Sequence, residues 1–178
     1  MKGYVQNEAG LLVPEQKILG IGRYDATLIR DGKVIDEWFQ ENLVVNSGLN
    51  DLLNVYFNSG TQRSVWYIGM FEGNYTPVAA DTGATIAGNA TESTAYTSAT
   101  RPQWQPASPS GQSITNSANR AAFTFNATKT IYGAFLISTA TKSDTVGQLF
   151  SASQFATPRA VINLDELLMT YSFTASSV

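Results

Sequence analysis

The chain has no histidine and no cysteine, and only 14% of its 178 residues are charged. Without histidine it lacks the side chain most used to move protons near neutral pH. Without cysteine it has no thiolate nucleophile and no disulfide framework, and with both gone it lacks the best zinc ligands. A hydrolase built from what remains would rest on carboxylates, a lysine base or a metal held by oxygen alone. Long apolar runs are missing too: nothing approaches the ~18 residues of a membrane helix, and Met1-Lys2-Gly3-Tyr4 leads into no apolar signal segment. We therefore expect no signal peptide, no anchor and no membrane partner. The 11 lysines and arginines are scattered singly in a chain of net charge −3, which argues against direct nucleic-acid binding.

What is present is a polar, mostly uncharged surface alphabet of Ser, Thr, Asn, Gln and Gly around aromatic strand segments. At 178 residues, 43% of them apolar and 11% aromatic, the composition fits one folded domain rather than a disordered chain. A domain of about 150 residues hides roughly 70% of its unfolded surface, so no staple is needed. Such a chain suits binding and holding better than reacting.

Along the chain, residues 1–22 show neither helical nor strand period. Leu11, Leu12 and Val13 before Pro14, and Ile18, Leu19 and Ile21 among glycines, are apolar patches that need a cover. They read as an extended N-terminal arm that docks on a neighbouring protein, with an edge strand of the same domain as the alternative. Residues 23–178 read as a single β domain. Residues 23–39 form a hairpin around Asp31-Gly32, a pair that tolerates the positive φ of a tight turn. One helix is expected near residues 48–57, capped by Asn46 or Ser47, with Leu49, Leu52, Leu53 and Tyr56 on its buried face. The near-continuous apolar run 65–71 predicts a strand buried on both faces. Alternation in 121–125 and 167–174 predicts half-buried strands, and 129–137, 147–150 and 160–164 complete the set. The fold class is all-β, a β-sandwich or jelly-roll-like barrel with one short helix and the arm. Two long polar stretches, 77–100 and 101–119, read as loops that are either disordered or engaged in binding.

The run Glu41-Asn42-Leu43-Val44-Val45-Asn46-Ser47-Gly48-Leu49-Asn50 and the run from Val65 through Pro77 resemble virion structural proteins of tailed bacteriophages. So do Thr94-Ala95-Tyr96, Arg101-Pro102-Gln103-Trp104, Ala122-Phe123-Thr124-Phe125-Asn126-Ala127 and the segment Lys129 to Leu136. The resemblance spans roughly residues 38–173, and within the group it is strongest to head decoration, or cement, proteins. It implies an all-β homo-oligomer, a dimer or trimer, that clamps major capsid protein subunits from the outer surface of the head after assembly in the host cytoplasm. A tail or head-fibre protein is the alternative within the group. A carbohydrate-binding module is the alternative outside it.

Neither carboxylate doublet, Asp36-Glu37 nor Asp165-Glu166, makes a catalytic pair, because neighbouring strand residues point to opposite faces. They read as solvated turn or strand faces. Gly20-Ile21-Gly22 and the glycines of 69–73 lack the Lys-Ser/Thr and helix of a phosphate loop, and no EF-hand spacing is present, so no cofactor is expected. Trp38 and Trp66 sit in strands and read as core. Trp104, between Pro102 and Pro106 in a polar stretch, is the candidate exposed anchor, alongside Leu11, Leu12, Val13, Ile18 and Leu19 as capsid-contact residues.

Overall fold

Alternating side chains give β strands such as that at 166–177 an apolar face, and the computed structural model, which describes residues 3–6, 8–14 and 18–177, stacks such faces as two antiparallel sheets. The elements are β1 (Tyr4–Gln6), β2 (Leu12–Pro14), β3 (Ile18–Arg30), β4 (Lys33–Glu41), β5 (Leu43–Val44), α1 (Asn46–Phe57), β6 (Trp66–Phe71) and α2 (Gly83–Asn89). After them come β7 (Gln103–Trp104), β8 (Ser113–Thr115), β9 (Ala121–Thr124), β10 (Lys129–Ile137), β11 (Leu149–Val161) and β12 (Glu166–Ser177). One sheet runs β4-β3-β12-β8, with β9 beside β8 on the same edge of β12; the other runs β5-β11-β10-β6-β7. β1 and β2 form a separate hairpin. The all-β sandwich class is thus the observed one.

Between the sheets, Tyr24, Ala26 and Leu28 of β3 and Leu167, Met169 and Tyr171 of β12 face Ile68 and Met70 of β6 and Ala134 and Leu136 of β10. Each large side chain withdrawn from water in this way contributes about 1.5–3 kcal/mol. A second core lies on the far face of the β6–β10 sheet, where Phe71, Phe135, Ile137 and Leu149 pack against Ile86 and Ala90. β6 is therefore covered on both sides, as its unbroken apolar run predicts. The Asp31-Gly32 turn also forms as expected, with φ of 50° and 71°, which a tight type I′ hairpin needs.

The β6–β10 pair interlocks through glycine. Gly133 sits opposite Phe71 and Gly69 opposite Phe135. A Cβ at 133 would lie 2.1 Å from the Phe71 ring and 2.2 Å from the Ser153 carbonyl oxygen, and one at 69 would lie 2.2 Å from the Phe135 ring. Each ring fills the place its partner's side chain would take.

Four expectations are corrected. The arm does not extend to residue 22: β3 begins at Ile18, and residues 18–22 pair with the end of β12 from Ser177 to Phe173. Side chains pass over both glycines: an added Cβ at Gly20 would lie 3.1 Å from the Phe173 ring, and one at Gly22 would lie 2.1 Å from Asn42 Oδ1 and 2.5 Å from the Tyr171 hydroxyl. The described residues contain a second helix, α2, inside the stretch read as a loop. Its two glycines, Gly83 and Gly88, hide it from propensity, and burial of Ile86 and Ala87 plus a Thr82–Thr85 capping box stabilise it. The segments 147–150 and 160–164 are not separate strands: 163–164 lie in the turn before β12, and residues 149–150 and 160–161 are the two ends of the single strand β11. Between them the register jumps from Ile131↔Arg159 to Gly133↔Gln154, a bulge that houses Pro158, which has no N–H to offer a ladder. Finally, α1 has no side-chain cap: its N-cap is Val45, and Ser47 Oγ donates to the Asp81 and Leu149 carbonyls instead.

Adding one methyl group separates packing from propensity. Gly133→Ala should lower unfolding free energy in urea melts by about 1–3 kcal/mol through overpacking. Gly88→Ala, on a helix with nothing within 4 Å of the new Cβ, should be neutral or up to about 1 kcal/mol stabilising. Equal effects at both positions would contradict the interlock.

Candidate functional site

The predicted capsid-contact residues divide into an exposed group and a buried one. Leu11 and Leu12 lie on the β1–β2 hairpin, closed by the positive φ of Gly10 and a 3.0 Å bond from Gln6 Nε2 to the Gly10 carbonyl. Leu12 is 72% exposed, and Leu11 is exposed too. Ile18, 85% exposed, and Leu19 stand on the ribbon made by the start of β3 and the end of β12. On the side away from β12, β4 pairs with β3 only from Arg23 onward, so among the described residues no strand covers that edge at 18–21. Val13 as a side chain, and residues 1–2, 7 and 15–17 of the expected arm, lie outside the described residues.

Trp104 is no surface anchor. It is 8% exposed, its Nε1 donates to the Tyr171 carbonyl at 3.0 Å, and its ring meets that of Tyr171 at 5.8 Å. The flanking prolines bracket a two-residue edge strand on β6. Trp38 and Trp66 are half-buried and pack on Phe155 and Phe150 with ring centroids 5.5 Å and 5.8 Å apart.

Sequence reasoning missed the most exposed apolar surface among the described helices. Leu49, Leu52, Leu53 and Tyr56 were expected to face the sheet, yet α1 turns them outward. The helix touches β11 through Gly48, where a Cβ would lie 2.5 Å from the Phe150 carbonyl oxygen. Gly48 lets the backbones approach on that face, so the stripe one step around the helix stays in solvent, with Tyr56 at 80% and Phe57 at 76% exposure. Beside it opens a cleft of about 640 Å³ whose walls include Leu52, Val55, Trp66, Phe150 and Phe173. At its rim Asp51 and Arg63 pair at 3.1 Å.

Several of the charged groups are committed to structure. Asp165, expected on a solvated turn, is fully buried and accepts from Arg30 Nε at 2.8 Å, Arg30 Nη2 at 2.7 Å and the Ile162 amide at 2.8 Å. The Arg30 guanidinium holds its carboxyl below the usual carboxylate range, against the opposing effect of burial. In the other doublet, Asp36 pairs with Arg159 at 3.2 Å and Glu37 accepts from Thr27 Oγ1 at 3.0 Å.

Glu92 and Arg101, both buried, share two 2.7 Å bonds; Glu92 also accepts from the Ser143 amide, and Arg101 donates to the Thr139 carbonyl. This cluster ties the polar stretch 77–100 to the loop after β10, so that stretch is packed structure rather than a free loop. Tyr24 OH lies 3.1 Å from Ser151 Oγ and Tyr171 OH accepts from Asn42 at 3.1 Å; burial pushes the Tyr171 hydroxyl up to about 12. No group of three or more metal-ligating side chains occurs among the described residues. No helix among them is long and apolar enough to cross a membrane.

No known protein-family model matches the chain, and no curated protein matches its sequence.

The Arg30–Asp165 pair sets a pH dependence. Because the folded carboxyl titrates below its unfolded value of ~3.9, its stabilisation is complete above that pH and is lost as pH falls through the folded value. Asp165→Asn should therefore be less stable than wild type at pH 7, by a margin constant down to about pH 5 that narrows below about pH 4. Urea melts across pH 7 to 2.5 check this, and a margin that stays constant to the acid end would contradict it.

Proposed function

We propose that the chain is a structural virion protein, a decoration protein that binds the outer surface of an assembled phage head and stabilises it. One observation carries the reading beyond the resemblance: the sandwich carries a ribbon and a hairpin whose Leu12, Ile18 and Leu19 are exposed, beside a strand edge at residues 18–21 that no described strand covers. Exposed apolar groups next to a strand edge that no described strand covers suit strand addition to a partner, with main-chain bonds giving affinity and side-chain pockets giving specificity. The partner is the major capsid protein. A ligand that binds only the assembled state stabilises it by RT ln(1 + [L]/Kd), about 2.7 kcal/mol at a hundredfold excess over Kd. Repeated over many equivalent sites, that opposes the outward pressure of packaged DNA. A sugar-stacking role would need side chains other than the three tryptophans, which are engaged with Phe155, Phe150 and Tyr171.

Co-sedimentation with assembled heads of the phage that encodes the chain tests this reading. The full chain should pellet with heads and not with tails. A variant lacking residues 1–14, and separately Ile18→Asp, should bind at least about tenfold more weakly while changing folding stability by less than about 1 kcal/mol. Binding to tails alone, or full-strength head binding by both variants, would contradict it.

A further inference from the structure

The outward stripe of α1 and the cleft beside it remain unexplained by the sandwich. Leu49, Leu53 and Phe57 recur every four residues and so form a single ridge along the helix, while Leu52, Val55 and Tyr56 line the cleft one step around. A protruding apolar ridge and an apolar hollow thus lie on one surface. We propose that this surface is the contact between two copies of the chain, the ridge Leu49, Leu53 and Phe57 of each copy seating in the cleft of the other about a two-fold axis.

Size, charge and symmetry select a second copy as the occupant. Leu49, Leu52, Leu53, Tyr56 and Phe57 together expose roughly 600 Å², close to the ~800 Å² per partner of a stable complex once the cleft walls are added. A cavity of about 150 Å³ holds a benzene ring, so the 640 Å³ cleft has room for about four side chains of that size, enough for the ridge. The helix carries one charged side chain, Asp51, and Arg63 neutralises it at 3.1 Å; Asn50, Asn54 and Asn58 flank the ridge. Two identical faces can therefore meet without like-charge repulsion and without burying an unpaired charge, although the chain as a whole is acidic. A two-fold contact requires a patch that complements itself, and a ridge beside a hollow meets that requirement. This self-association uses a different surface from the hairpin and ribbon, so it stands independently of head binding.

Sedimentation equilibrium of the full chain, with Leu53→Asp and Phe57→Asp, tests the proposal. The wild type should be a dimer at micromolar concentration, and each variant should associate at least about 30-fold more weakly with an unchanged circular dichroism spectrum. Because the chain has no cysteine, single substitutions Leu49→Cys, Leu53→Cys and Phe57→Cys give a second reading that does not depend on weakening the fold. Mild oxidation should cross-link at least one of them into a dimer, while Thr157→Cys, exposed in β11, should stay monomeric under the same treatment. A monomeric wild type, a trimer, or a dimer that both aspartate variants leave intact would overturn the proposal. So would a dimer lost on removing residues 1–14 but kept in the aspartate variants, which would make the hairpin the occupant. A monomer whose aspartate variants lose head binding would reassign the face to the capsid.

Discussion

The rest of the structure depends on the pairing of β12 with β3, unbroken from Ile18↔Ser177 to Ile29↔Glu166. It sets Ser177 beside Ile18 and places the aromatic pair Tyr24 and Tyr171, with ring centroids 4.7 Å apart, in the core. The other edge of β12 is shared by β9 and β8, which leaves a gap between them at residues 170–171. Asn116 bridges it: its Oδ1 accepts from the Tyr171 amide at 2.7 Å and its Nδ2 donates to the Met169 carbonyl at 3.3 Å. A buried strand cannot leave such groups unpaired, and here one side chain substitutes for a missing stretch of backbone. Because β3 and β12 lie at opposite ends of the sequence, closing this pair is an entropically demanding step that local contacts cannot replace.

A chain with so few charges places several of them inside. The Glu92–Arg101 and Arg30–Asp165 pairs are held in bidentate geometry with further backbone partners, the condition under which buried ions are tolerated. Each pair fixes polar backbone that has little apolar weight of its own: one the excursion around α2, the other the turn between β11 and β12. The surface is left with few strong charges and many amides and hydroxyls, so the exposed apolar groups on α1 and on the N-terminal ribbon stand out against a weak field.

How much of this was legible follows from range. Asp31-Gly32, the alternation of Leu167, Met169 and Tyr171, and the doubly buried β6 are local patterns, and each appears where its pattern places it. The α1 stripe is likewise legible as a stripe, but a stripe does not say which way it faces. Gly48 against the Phe150 backbone decides that, and no pattern within the helix encodes a contact with a strand a hundred residues away. The two prolines around Trp104 signal an exposed loop, whereas its burial depends on Tyr171, far away in sequence. The buried carboxylates of Glu92 and Asp165 were invisible for the same reason: their cations, Arg101 and Arg30, join them only through the fold. α2 and the continuous β11 were lost to glycine and proline, which tertiary packing accommodates here.

The account assigns two apolar surfaces to two kinds of partner, and amide hydrogen exchange on free and head-bound protein tests that assignment most directly. It predicts that exchange at residues 46–57 of the free protein slows as concentration is raised through the dimer range, while those amides of residues 18–21 that point away from β12, along the edge no described strand covers, become protected only on heads. Exchange at 46–57 that does not depend on concentration in the free protein but slows on heads, or no change at 18–21 on binding, would contradict it.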